Sequence, residues 1–151
     1  MTASLGEKRV IAHFAAPPGE DDLLAVAQDA MGTLPEELED IAATMELKCM
    51  EFPDPGLEAD LELESSYELL ALYEGSGAAK PGQVVRKSGV EPQLTLFRRP
   101  ILDYWCELQE DFFLIVRQAI ITELAQSLDY GDEAIDEMLN RAHPSLMNLA
   151  D

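Results

Sequence analysis

The stretch Val116-Arg117-Gln118-Ala119-Ile120-Ile121-Thr122-Glu123-Leu124-Ala125-Gln126-Ser127-Leu128-Asp129-Tyr130-Gly131-Asp132 decides how this chain reads. Phe112, Phe113, Val116, Ala119, Ile120, Leu124 and Leu128 recur at helical spacing and form a wide apolar stripe. The pattern predicts a helix over 101–128, kinked near Cys106 and central to the core. On it Gln118, Thr122 and Gln126 stand at i, i+4 and i+8 on one line, with Glu123 beside them. By residue type alone, such a polar strip is the solvated face of a buried helix.

Working outward, 151 residues suit one domain with tails. Residues 1–18 read as an N-terminal arm, 19–143 as the domain and 144–151 as a C-terminal tail. Glu20-Asp21-Asp22 open a helix carrying Leu23, Val26, Ala27 and Ala30, which Gly32 closes. Thr33-Leu34-Pro35-Glu36 reads as a capping box for a short second helix with Leu38, Ile41 and Ala42 inward. Met45, Leu47 and Cys49 alternate with charged residues, the period of a half-buried strand that Pro53-Asp54-Pro55-Gly56 stops.

Residues 57–64 alternate Leu or Ala with acids and fit either a strand or a helix start. Ser65-Ser66-Tyr67-Glu68 reads as a second capping box, before a short helix with Tyr67, Leu70 and Ala71. Gln83–Lys87 and Gln93–Arg98 flank Ser88-Gly89 as a hairpin, and Pro100 suits a helix start. Asp132–Ala142 is a last helix with Ile135, Met138 and Leu139 inward, broken by His143-Pro144.

The formal charge is −20. So acidic a chain is repelled by nucleic-acid phosphates and anionic membranes, so neither is an expected partner; a basic protein or peptide segment is. The basic residues of 80–99 (Lys80, Arg86, Lys87, Arg98 and Arg99, against Glu91 alone) read as intramolecular partners for the surrounding acids, or as a docking edge for an acidic peptide. Two cysteines 57 positions apart make neither a disulfide framework nor a metal knuckle, so a reducing cytoplasm is expected. The apolar run Val10–Ala16 behind Lys8-Arg9 is a weak match to a signal peptide, and no run approaches the roughly 18 apolar residues of a membrane span.

Leu69-Leu70-Ala71-Leu72-Tyr73-Glu74-Gly75, then Leu94-Thr95-Leu96-Phe97-Arg98-Arg99-Pro100, then the long helix and its acidic turn, occur in an order that resembles the small bacterial zincin-like metallopeptidase family over roughly residues 20 to 140. The resemblance implies an α+β minimal zincin-like fold: a small mixed sheet of about three to four strands against a long motif helix and shorter helices. In that family the long helix carries His-Glu-x-x-His. Two imidazoles at i and i+4 ligate Zn²⁺, and the Glu between them takes a proton from the metal-bound water.

Here Thr122 and Gln126 stand at the two histidine positions, Ser127 replaces a further histidine and Asp129 a glycine. Glu123 keeps the general-base position, and Asp132 lies where an acidic third ligand would fall. A hydroxyl, an amide and a carboxylate form a hard, weak oxygen set, so no zinc and no other cofactor is expected, and hydrolysis does not carry over. The expectation is a catalytically silent relative that binds a peptide along the sheet edge through Gln118, Thr122, Glu123, Gln126 and Arg98.

Two alternatives stand beside it. One is an active hydrolase using another metal through Glu123 and Asp132; the other is an acidic interaction protein whose motif helix is structural. His143 reads as a helix cap, His13 as part of the arm, and Cys49 and Cys106 as core residues rather than ligands or nucleophiles.

Overall fold

The structure is a computed structural model that describes residues 17–75 and 91–141. Among these, the elements in chain order are α1 (Glu20–Met31), a 3₁₀ turn (Glu36–Leu38), α2 (Glu39–Ala43), β1 (Glu46–Met50), α3 (Pro55–Asp60), β2 (Ala71–Glu74), β3 (Gln93–Phe97), α4 (Arg98–Leu108), α5 (Phe112–Ser127) and α6 (Asp132–Asn140). The fold is α+β with one small mixed sheet, as the sequence reading expects. Strand order is β1-β3-β2; β3 pairs parallel with β1 (Leu47 opposite Leu94) and antiparallel with β2 (Tyr73 opposite Leu94).

The core forms around α5. Phe112, Phe113, Ile115, Val116, Ala119, Ile120, Ile121, Leu124 and Ala125 are all buried, so apolar contact surrounds most of the helix. It packs on α1, α4, α6 and β2. Leu128, expected in the stripe, is 40% exposed, because it caps the helix where the chain turns away. Gly32 ends α1 as expected, and Asp22 accepts the Gly19 N–H at 2.9 Å. Ile135 and Met138 of α6 are buried. No helix among the described residues is long and apolar enough to cross a membrane.

Several local expectations give way to stronger partners. The helix over 101–128 is two helices, broken at Gln109–Asp111 rather than kinked at Cys106. Gln109 takes a left-handed conformation (φ 56°), and the Asp111 carboxylate accepts the Phe113 N–H at 2.8 Å to cap α5. Cys106, read as core, is exposed. Thr33 does not cap a helix: its hydroxyl donates backward to the Ala30 carbonyl at 2.8 Å, and the next turn begins at Glu36.

Residues 57–64 start as a helix, with Asp54 accepting the Leu57 N–H at 2.8 Å. The short helix expected around Tyr67–Ala71 is a strand instead from Ala71 on. Its backbone is claimed by β3, starting with the Phe97 N–H to the Leu70 carbonyl at 2.9 Å. Gln93–Phe97 is a strand, but its described partners are β1 and β2; the other expected hairpin arm, Gln83–Lys87, lies outside the described residues, as do His13 and His143.

Two arginines lock the helices. Arg117 on α5 is buried; its Nε and Nη2 donate to the Thr33 hydroxyl and carbonyl, both at 2.9 Å. Thr33 follows the end of α1, whose dipole is negative there, so the guanidinium meets neutral acceptors in a favourable field. Arg141, after α6, donates to both Glu37 oxygens at 2.7 and 2.9 Å and to Glu137. The Arg141 hydrogen bonds hold the Glu37 carboxyl down to about 2.

Replacing Arg117 by Ala should lower stability by about 2–4 kcal/mol in urea unfolding, since it removes two charge-assisted bonds and leaves a cavity. Glu37 binds its proton less readily folded than unfolded. Its contribution is therefore present above the ordinary carboxylate range near 4.5 and lost as pH falls toward 2. Thermal melts between pH 5 and 2 should show a smaller decline in Arg141→Gln than in the parent chain.

Candidate functional site

The polar strip of α5 is not simply a solvated face. Gln118, Thr122, Glu123 and Gln126 line one cavity of about 260 Å³, closed by Tyr104 of α4 and by the chain entering β2 at Glu68, Leu70 and Ala71. The neighbours of the strip on the same helix, Ile120, Ile121, Leu124 and Ala125, are fully buried, so the core sets the orientation of the strip. Gln118, Thr122 and Glu123 are half-buried and Gln126 is exposed at the rim.

Glu123 makes the contact that defines the site. Its Oε2 accepts the backbone N–H of Tyr73, the third residue of β2, at 2.9 Å. The carboxylate at the general-base position therefore holds a strand amide. The Tyr73 ring folds back over Gly75, where an added methyl group would meet the phenol oxygen at 2.6 Å; this explains the glycine in Leu72-Tyr73-Glu74-Gly75. Burial raises the pKa of that phenol.

The other expected residues fall elsewhere. Asp132 is exposed at the start of α6 and is not among the described residues lining the cavity. Arg98, at the start of α4, joins the segments flanking α1 and β1: Nε donates to the Pro18 carbonyl at 2.7 Å and Nη1 pairs with Glu51 at 2.9 Å. Sequence reasoning missed Glu68 and Tyr104. Glu68 was read only as the end of a capping box, and Tyr104 comes from a helix separated from α5 by the break at Gln109–Asp111.

The donors at the two ligand positions are a hydroxyl and an amide, one turn apart, and the carboxylate between them is engaged by Tyr73. This set does not fit Zn²⁺, which takes imidazole or thiolate in preference to neutral oxygen. Among the described residues no three His, Cys, Asp or Glu side chains group so as to hold a metal ion. Burial, with Glu20 and Glu51 nearby, pushes the Cys49 thiol up to about 11, so at neutral pH it is a protonated side chain rather than a nucleophile. A larger groove of about 770 Å³ opens between α1, α2 and β1; Leu24, Met31, Ala42 and Leu47 line it, and none of the α5 strip reaches it.

Residues 42–141 match the family described as zincin-like metallopeptidase. No curated protein matches the chain.

The paired substitution Thr122→His with Gln126→His should place two imidazoles at i and i+4 facing the cavity. Added Zn²⁺ should then raise the melting temperature of the double variant and leave that of the parent unchanged. Equal shifts in both would show that the strip does not have the geometry described.

Proposed function

The chain belongs to the zincin-like metallopeptidase family, and on that premise we propose that it binds an extended protein or peptide segment without cutting it. The observation that carries this reading is the contact between Glu123 and the Tyr73 amide. A general base must face a metal-activated water, and this one is occupied by the strand that borders the cleft. With Thr122 and Gln126 at the ligand positions, the mechanism has neither its metal nor a poised base.

What is left suits binding. β2 is the outer strand of the described sheet and runs beside the cavity, so a segment can add along it through backbone hydrogen bonds while alternate side chains reach the polar strip. The amides of Gln118 and Gln126 and the Thr122 hydroxyl each donate and accept, which suits peptide groups and polar side chains alike. The charge of −20 and the carboxylates of Glu68 and Glu123 at the cavity favour a basic segment. Two free thiols support a reducing, cytoplasmic setting. A hydrolase built on Glu123 with Asp132 draws no support from their placement.

A blocked hexapeptide alternating Lys and Val should shift the NMR amide signals of Ala71, Tyr73, Thr122 and Gln126. It should bind more weakly as salt is raised and remain uncleaved, and the purified protein should carry no stoichiometric zinc by elemental analysis. Stoichiometric zinc with cleavage of the peptide would reject the reading. Shifts scattered over the acidic surface, away from the cavity, would favour an acidic interaction protein with a structural motif helix instead.

A further inference from the structure

Strand alternation sets which backbone groups of β2 face outward. The Phe97 N–H donates to the Leu70 carbonyl. With Ala71 opposite Leu96, this makes Leu70, Leu72 and Glu74 the residues whose backbone turns toward β3, and Ala71 and Tyr73 those whose backbone turns away. The outward N–H of Tyr73 is the one that meets Glu123 Oε2 at 2.9 Å. A strand adding to this edge would need that same donor.

We propose that Glu123 is a latch on the sheet edge: a segment adds to β2 only as the Glu123 carboxylate releases the Tyr73 amide. This deepens the peptide-binding reading above and rests on it. The latch is anchored on its helix side, because Leu124 and Ala125 next to it are fully buried, whereas the strand it holds is only four residues long. A carboxylate is a stronger acceptor than a peptide carbonyl, so a neutral segment gains little by displacing it. A segment carrying Lys or Arg at a position that faces the cavity does better. Its cation draws the carboxylate toward the Gln118–Thr122–Gln126 strip, and the vacated Tyr73 N–H pairs with the segment backbone. The latch thus selects basic strands and blocks indiscriminate strand addition, the hazard of any sheet edge.

The test uses the full chain with Glu123→Ala and, as an isosteric variant that keeps the fold should the first not, Glu123→Gln. Without peptide, hydrogen exchange at the Tyr73 amide should accelerate several-fold in Glu123→Ala while the Leu94 and Leu96 amides keep their protection. A blocked, uncharged hexapeptide alternating Thr and Val should bind Glu123→Ala on the order of tenfold more tightly than the parent by fluorescence anisotropy, with Glu123→Gln between.

The Lys-Val hexapeptide should bind the parent more tightly than the Thr-Val one and lose that advantage in both variants. If the parent binds and the variants bind the uncharged peptide no more tightly, the latch is overturned and the peptide reading stands. If the parent and both variants bind neither peptide, both are overturned.

Discussion

The constraint on which the rest of this structure depends is the near-complete burial of α5. Its apolar residues are in contact with α1, α4, α6 and β2, and each large side chain removed from water contributes about 1.5–3 kcal/mol. A helix held on so many sides cannot rotate or slide without exposing part of that surface. Its one polar line, Gln118, Thr122 and Gln126, is therefore aimed by the packing of the other faces, into the cavity beside β2.

The sheet is positioned by the same helix. β3 is its central strand, with Leu94, Thr95, Leu96 and Phe97 all buried. It is covered on both faces, which explains why it does not show the half-buried alternation of a hairpin arm. β2 is held from two directions, by β3 through the ladder and by Glu123 through the Tyr73 amide. Glu123 is thereby part of the joint between helix and sheet.

Much of the fold was legible in local pattern. α1, with acids in its first turn and Gly32 at its end, and α6, with Ile135 and Met138 inward, follow from short-range rules of dipole, cap and period. The site was legible as a line on a helix. Gln118, Thr122 and Gln126 share a face by helical geometry, and the structure brings them to one cavity. The readings that failed were those in which a local signal competed with a distant partner. Thr33 looked like a cap but serves Ala30 and Arg117. The residues after Ser65 looked helical but give way to the β3 ladder. Cys106 looked apolar in context but lies on the exposed side of α4, which buries Pro100 and Ile101 instead.

By itself, then, the sequence determined the secondary-structure types with strong periodicity, the line of Gln118, Thr122 and Gln126 along one helix face, and a formal charge of −20. These follow from residue chemistry and spacing, which need no third dimension. Only the tertiary structure decided that Glu123 reaches across to Tyr73, that Asp132 stays outside the cavity, and that Arg98 braces Pro18 and Glu51. Those outcomes join residues 50, 80 and 47 positions apart, and contacts at such separations arise from how the elements pack on α5, which no local periodicity encodes.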